Sequence, residues 1–219
     1  MDGDMGDGNY RNHPDWRERA GRNPVQPPAG ALRQAMTLLE QTVAHLAALV
    51  AFPTVSPDSN LALIGHVAAH LGGLGARVAL FHDATGQKAN LLASFGPDRP
   101  DGGVVLSGHV DVVPVAGQVW ASDPFVLRDD GARLYGRGTC DMKGFVAALL
   151  AMAPRFAAAP LARPLHIALT HDEEVGCLGA QALVAEMARR GLAPAMAIIG
   201  EPTGMAVIDA HKGCNEYTV

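Results

Sequence analysis

Four short segments of the sequence carry side chains that could bind a metal ion or move a proton. They are LSGHVDVVP, GRGTCDMKG, HDEEVG and GEPT. The chemistry-bearing residues in them are His109, Asp111, Asp141, Glu173, Glu174 and Glu201. A donor set of imidazole and carboxylate without convergent thiolates favours zinc, cobalt or manganese over an iron–sulfur cluster, and zinc is the ion most typical of it. The sequence therefore predicts a divalent metal site.

The local spacing suggests a different task for each of these groups. In an extended chain His109 and Asp111 lie on the same side, so Asp111 can accept one ring N–H and leave the other nitrogen of His109 free for the metal. Glu173 and Glu174 are adjacent, so in extended backbone one can bind metal while the other faces the attacking water. Asp141 precedes a predicted helix, where an N-cap position would hold its carboxylate rigid enough to bridge two ions.

Hydrophobic periodicity predicts the elements that position these residues. Helices are predicted at 31–50, 61–71, 142–156 and 178–190, and strands at RVALF, ANLLASF, GGVVLSG, PLHIALT and AMAIIG. Unbroken apolar strands that alternate with helices indicate an α/β fold with a mixed, mostly parallel sheet sandwiched by helices. In such sheets reactive groups collect beyond the carboxyl ends of the strands, which is where the four segments fall.

Composition narrows the class of partner and the compartment. The chain of 219 residues has 17 basic and 22 acidic side chains, a formal net charge of -5, which argues against nucleic acid or a membrane surface as a partner. A small molecule fits better. No apolar run approaches the roughly 20 residues that a membrane helix needs. Three cysteines are too few and too scattered for a disulfide framework and indicate a cytoplasmic protein, with Cys140 and Cys177 expected as small buried thiols.

The chain is predicted to contain one domain and one extension. Residues 1–30 are rich in Gly, Asp, Asn, Arg and Pro and have no apolar segment of the signal-peptide kind, so we expect a disordered N-terminal extension. Residues 31–219 are expected to form the metal-binding domain.

Six ordered motifs resemble a known enzyme family. They are SGHVDVVP, W-x-x-DPF at 120–125, GRGTCDMKG at 136–144, HDEEVGCLGA at 171–180, GEPT at 200–203 and HKG at 211–213. Together they resemble the di-zinc amidohydrolase and exopeptidase family that includes acetylornithine deacetylase, succinyl-diaminopimelate desuccinylase and glutamate carboxypeptidase. The cysteine of GRGTCDMKG and the run DEEVGCLGA are most similar to the acetylornithine deacetylase branch. Several motifs in order are more specific than any one of them.

The resemblance implies a zinc-exopeptidase-like catalytic domain with two zinc ions per subunit, for which cobalt can substitute. By the resemblance, His109 and Glu201 bind the first zinc and Glu174 the second. Asp141 bridges both, Asp111 orients His109, and Glu173 is the general base. It also implies a cis peptide bond between Asp141 and Met142.

The implied reaction is zinc-dependent hydrolysis of a small N-acyl amino acid, in the first place deacetylation of N2-acetyl-L-ornithine in arginine biosynthesis. Desuccinylase, aminoacylase and dipeptidase activities remain open, and so does a non-catalytic metal-binding fragment.

The sequence departs from the family pattern at its C-terminal end. Family members continue into a lid and dimerisation domain and then supply a distal histidine to the second zinc, whereas this sequence ends at Val219. His211 belongs to the HKG motif and does not match that ligand. We therefore expect three protein ligands for the first zinc and two for the second, so that the 219-residue chain binds about one zinc well and hydrolyses its substrate poorly or not at all. A homodimer is expected only through the absent lid.

Overall fold

The computed structural model describes residues 36–210, in which four helices and seven strands follow one another. The helices are α1 (Leu38–Val50), α2 (Leu61–Gly73), α3 (Lys143–Ala158) and α4 (Leu178–Arg189). The strands of the main sheet are β1 (Arg77–His82), β2 (Ala89–Phe95), β3 (Val104–His109), β6 (Leu165–Thr170) and β7 (Met196–Ile199). Two short strands, β4 (Arg128–Asp129) and β5 (Leu134–Tyr135), form a separate hairpin.

The main sheet is mixed and mostly parallel, as predicted. Its strand order is β1-β2-β6-β3-β7. Strand β2 runs antiparallel to both of its neighbours, while β6, β3 and β7 are mutually parallel, so four of the five strands share one direction. Of the apolar runs predicted as covered strands, β2 and β6 are buried at almost every position and β3 is half buried, whereas β7 at the edge of the sheet is exposed at all four positions.

Helices cover both faces of the sheet, which confirms the α/β sandwich. On one face, apolar side chains of α1, α2 and α3 pack with Leu91 and Leu169. On the other face, Leu183 and Met187 of α4 pack with Leu92. Adjacent residues of one strand point to opposite faces, so Leu91 and Leu92 each belong to a different side of the core.

Helix α1 begins later than the predicted start at residue 31. Its N-cap is Thr37, whose hydroxyl accepts from the Glu40 backbone N–H, while the Glu40 carboxylate accepts from the Thr37 backbone N–H at 2.7 Å. This capping box satisfies free amides of the first turn and fixes the helix start. The predicted extension at 1–30 and the remainder of the predicted helical segment, 31–35, lie outside the described residues.

Three parallel strands bring the candidate site residues to one edge of the sheet. In the register of β3 with β6, His109 lies beside Thr170, and in the register of β3 with β7, Ser107 lies beside Ile199. The chain segments after Thr170 and Ile199 therefore leave the sheet at the edge where His109 lies. None of the helices in the described part of the chain combines the length and the hydrophobicity that a membrane crossing requires.

A buried histidine at the opposite edge predicts a pH dependence of stability. His166 of β6 is 3% exposed and its Nδ1 lies 2.7 Å from Ser94 Oγ. Burial, and then the nearby charge of Arg77, lowers the pKa of His166 below its usual value. As pH falls through about 6.5, protons therefore bind the unfolded chain preferentially and stability falls. We expect urea unfolding of His166→Gln to show a flatter fall between about pH 7 and pH 5, whereas the exposed control His82→Gln should keep the wild-type slope.

Candidate metal centre

The imidazole of His109 lies at the centre of the acidic groups. His109 is the last residue of β3 and is 2% exposed. Its Nε2 lies 3.0 Å from Asp141 Oδ1, 3.8 Å from Glu201 Oε1 and 3.9 Å from Glu173 Oε2. One ligand atom each from His109, Asp141 and Glu201 lies within 4.8 Å of the others. The structure thus brings together three of the four predicted metal ligands around one point.

The other ring nitrogen of His109 faces Asp111, mainly through the backbone. Nδ1 lies 2.9 Å from the Asp111 carbonyl oxygen and 3.6 Å from Asp111 Oδ1. We expected the carboxylate to be the acceptor because we placed both residues in extended backbone. Strand β3 ends at His109, so Asp111 lies beyond the regular alternation, and its carbonyl is the nearer acceptor. A proton on Nδ1 leaves Nε2 free to bind metal.

The Asp111 carboxylate joins three parts of the site. It is buried, and it accepts hydrogen bonds from Ser56 Oγ at 2.7 Å, Glu173 N at 3.1 Å and Glu174 N at 3.3 Å. Burial alone would raise the pKa of Asp111, but the nearby His109 and the hydrogen bonds from Ser56 and Glu173 hold it below its usual value. The ionised carboxylate of Asp111 therefore fixes the turn that carries the two glutamates, while the backbone carbonyl of the same residue holds the histidine.

Glu173 and Glu174 lie in a turn and not in the extended backbone that we predicted. The Glu173 carbonyl accepts from both Gly176 N and Cys177 N, at 3.1 and 3.0 Å. The two side chains nevertheless have different surroundings. Glu173 reaches His109, while Glu174 lines a cavity of about 320 Å³ together with Asp141. The geometry is compatible with one glutamate near the first metal position and the other near a second.

Asp141 is not the N-cap of α3, so the predicted capping role was wrong. The N-cap is Met142, and Asp141 lies one residue earlier, where its carboxylate faces His109 instead of the helix amides. The Asp141–Met142 peptide bond is cis, as the resemblance implied. The buried Lys143 and the close packing of Gly144 hold this segment in place. Lys143 is fully buried and its Nζ donates to Leu49 O and Phe52 O, while a Cβ on Gly144 would lie 2.5 Å from Thr139 O.

Within residues 36–210, the acids of the site form ion pairs with His109 and with no lysine or arginine. Burial, with the charges of Asp141 and Glu173, raises the pKa of Glu201 to about 7 against the opposing effect of His109. Burial and then the charge of Asp141 raise the pKa of Glu174. For His109, burial lowers the pKa, but Asp111 and then Asp141 outweigh it and raise the pKa to about 9. A divalent cation would relieve this concentration of negative charge.

Sequence reasoning missed the polar residues that hydrogen-bond around the site without belonging to the predicted ligands. Ser56, Lys88, Asp172 and Lys143 are all buried or half-buried and hydrogen-bonded. Their partners are distant in sequence, so no local spacing marks them. Both cysteines of the described chain are exposed, so their assignment as buried thiols was wrong. Cys177 Sγ lies 3.4 Å from Glu173 Oε1.

Comparison with known proteins relates the chain to a peptidase family. The sequence profile of Peptidase family M20/M25/M40 matches residues 105–213. The chain is 42% identical over 176 residues to acetylornithine deacetylase of Yersinia pseudotuberculosis serotype O:1b (strain IP 31758), covering 76% of this chain and 44% of the relative. The chain thus spans less than half of that relative's length.

Solved structures agree on the fold. Human carnosine dipeptidase 1 superposes with a TM-score of 0.62 at 28% identity, covering 72% of this chain and 38% of that protein. The M20 family metallo-carboxypeptidase Sso-CP2 of Sulfolobus solfataricus superposes with a TM-score of 0.63 at 19% identity, covering 73% of this chain and 37% of the other.

Proposed function

The chain belongs to peptidase family M20/M25/M40, and on that premise we propose that its metal centre binds zinc and hydrolyses the amide bond of a small N-acyl amino acid. The observation that carries the proposal is the meeting of His109, Asp141 and Glu201 at the carboxyl edge of the sheet, with Glu173 beside them. Four separate chain segments supply these groups, so their convergence is a property of the fold.

The donor set fits zinc. Catalytic zinc sites commonly have three protein ligands drawn from imidazole and carboxylate and keep one position open. His109, Asp141 and Glu201 would hold one zinc ion, and Asp141 with Glu174 would hold a second. Cobalt(II) could take the place of zinc at this centre. The raised pKa values of Glu201 and Glu174 support this, because a cation there would stabilise both carboxylates in their ionised form.

The residues of the chain divide the remaining tasks of amide hydrolysis. Bound zinc would lower the pKa of a coordinated water from about 15.7 to about 7 and polarise the acyl carbonyl. Glu173 accepts the proton of the attacking water and returns it to the leaving amine, so one carboxyl group serves both steps. Asp111 acts through His109 and through the amides of Glu173 and Glu174, which it holds in place.

The first candidate substrate is N2-acetyl-L-ornithine, because the acetylornithine deacetylase of Yersinia pseudotuberculosis is 42% identical over the matched region. Its hydrolysis to ornithine and acetate would be a step of arginine biosynthesis. A dipeptide is the second candidate, favoured by the 28% identity with human carnosine dipeptidase 1.

We also propose that the protein acts in the cytoplasm on a small molecule. The net charge of -5 argues against nucleic acid or a membrane surface as a partner.

Metal content and hydrolysis together test the proposal. We expect elemental analysis of the dialysed chain to find about one tightly held zinc, because one three-ligand group forms among residues 36–210. Release of ornithine, diaminopimelate and histidine from N2-acetylornithine, N-succinyl-diaminopimelate and carnosine would then rank the substrates. Glu173→Gln is the matched control, which should keep its zinc and lose about 100-fold or more of the activity.

Each outcome bears on a separate part of the proposal. A chain that binds no zinc would contradict the metal centre. Bound zinc without cleavage of any of the three amides would contradict hydrolysis by this chain, and equal rates on all three would contradict the choice of acetylornithine.

A further inference from the structure

Lys88 ties together two segments that flank the metal centre. It immediately precedes β2, and its side chain is only 15% exposed. Its Nζ donates to the carbonyl oxygen of Ser56 and to Asp172 Oδ1, which is itself 11% exposed. A buried ammonium is retained only where it is paired and hydrogen-bonded, and here both partners come from distant parts of the chain.

Both partners of Lys88 adjoin or contact residues of the proposed metal centre. Ser56 holds Asp111 through its hydroxyl. Asp172 directly precedes Glu173, and its backbone has a φ of 55°, a left-handed conformation that aspartate tolerates but does not favour. The ion pair with Lys88 and the contact of Asp172 Oδ2 with His171 Nδ1 at 3.0 Å hold this residue in place.

Lys143, which is fully buried, provides a contrast. Its partners among the described residues are the carbonyl oxygens of Leu49 and Phe52, at 3.1 and 2.7 Å, so it anchors the end of α1. Lys88 is instead paired with a carboxylate on the turn that carries Glu173 and Glu174. Loss of its charge would remove the side-chain anchor of Asp172 at the start of that turn, while the hydrogen bonds from Glu173 N and Glu174 N to Asp111 and the backbone bonds within the turn would remain.

We propose that Lys88 is a positioning residue of the metal centre, which acts through Ser56 and Asp172 to hold Asp111 and the Glu173–Glu174 turn against His109. The inference rests on the proposed function, because it assumes that a divalent ion binds there. Replacing residues that hydrogen-bond to metal ligands and orient them typically changes metal affinity by about 10–100-fold. An effect in this range is expected for Lys88, although it touches neither the ion nor the substrate.

Metal titration of substituted chains tests this role. Lys88→Met keeps the length and removes the charge, Lys88→Arg keeps the charge, and zinc affinity is measured by calorimetry. We expect Lys88→Met to weaken zinc binding by about 10-fold or more and Lys88→Arg to retain most of the affinity. The visible absorption of bound cobalt(II), which reports the number and arrangement of ligands, should change in Lys88→Met.

Two further variants separate positioning from a general loss of stability. Ile64→Val removes one methyl group from the core at a residue 1% exposed and should leave zinc affinity unchanged. Adding Asp172→Asn to Lys88→Met should cost little more than Lys88→Met alone, because the two residues act as one pair. Unchanged affinity and cobalt spectrum in Lys88→Met, or an equal loss in Ile64→Val, would overturn the positioning role alone. Failure of the unsubstituted chain to bind metal would overturn the proposed centre as well.

Discussion

His109→Ala should abolish tight zinc binding, with a loss of affinity of roughly 100-fold or more, since direct ligands matter more than the surrounding groups that typically contribute about 10–100-fold. His109 is the only imidazole among the three grouped ligands of residues 36–210, and its Nε2 approaches Asp141, Glu201 and Glu173. Without it the remaining donors are carboxylates, which suit magnesium, calcium or manganese better than zinc. Calorimetric titration with zinc and with magnesium would show both the loss and the altered preference.

The sheet offers a matched control for this substitution. His166 is also buried and lies on the neighbouring strand β6, but it belongs to the N-terminal half of that strand and contacts Ser94. His166→Ala should therefore leave a comparable cavity without affecting zinc. His109→Gln, which largely preserves side-chain volume, guards against a loss that reflects unfolding. Zinc affinity that survives in both His109 variants, or that falls equally in His166→Ala, would contradict the central place of His109.

Hydrophobic pattern and strand direction were sufficient to predict the edge of the sheet at which His109 and the acidic segments meet. The apolar runs of β2, β3 and β6 are recognisable because each strand is covered by helices, and parallel strands deliver the loops at their carboxyl ends to one edge. His109 and the segments with Glu173 and Glu201 could therefore be placed together from the sequence. The prediction needed only the direction of the strands and not the details of any loop.

Local conformation and long-range polar contacts could not be predicted in the same way. The start of α1 was misplaced because the apolar stripe continues upstream, although Thr37 and Glu40 carry the spacing of a capping box. The turn at Glu173 was taken as extended because adjacent residues do not reveal which carbonyl their amides will reach. The bonds of Ser56 to Asp111 and of Lys88 to Asp172 join residues 55 and 84 positions apart. Only the tertiary fold brings those partners together.

Asp111→Asn should disorganise the site although Asp111 belongs to neither group of proposed ligands. Its carboxylate accepts from Ser56 Oγ, Glu173 N and Glu174 N, and an amide offers only one accepting oxygen in place of two. We expect zinc affinity to fall by about 10–100-fold, because the turn carrying Glu174 is released, while the His109 ring keeps its contact with the Asp111 backbone carbonyl. Amide hydrogen exchange should show lost protection at Glu173 and Glu174, which measures the release of the turn directly.

Ser56→Ala supplies the graded comparison for Asp111→Asn. It removes one of the three hydrogen bonds and leaves the negative charge of Asp111 in place, so the turn amides should remain protected and zinc affinity should change only slightly. A single hydrogen bond to a charged group contributes about 1.5–3 kcal/mol, whereas an acceptor shared by two amides and a hydroxyl couples all three. Equal effects of the two substitutions would mean that the hydroxyl, and not the carboxylate, organises the centre. Retained protection at both amides in Asp111→Asn would show that the turn is held by its other contacts, among them the ion pair of Lys88 with Asp172 and the backbone bonds to the Glu173 carbonyl.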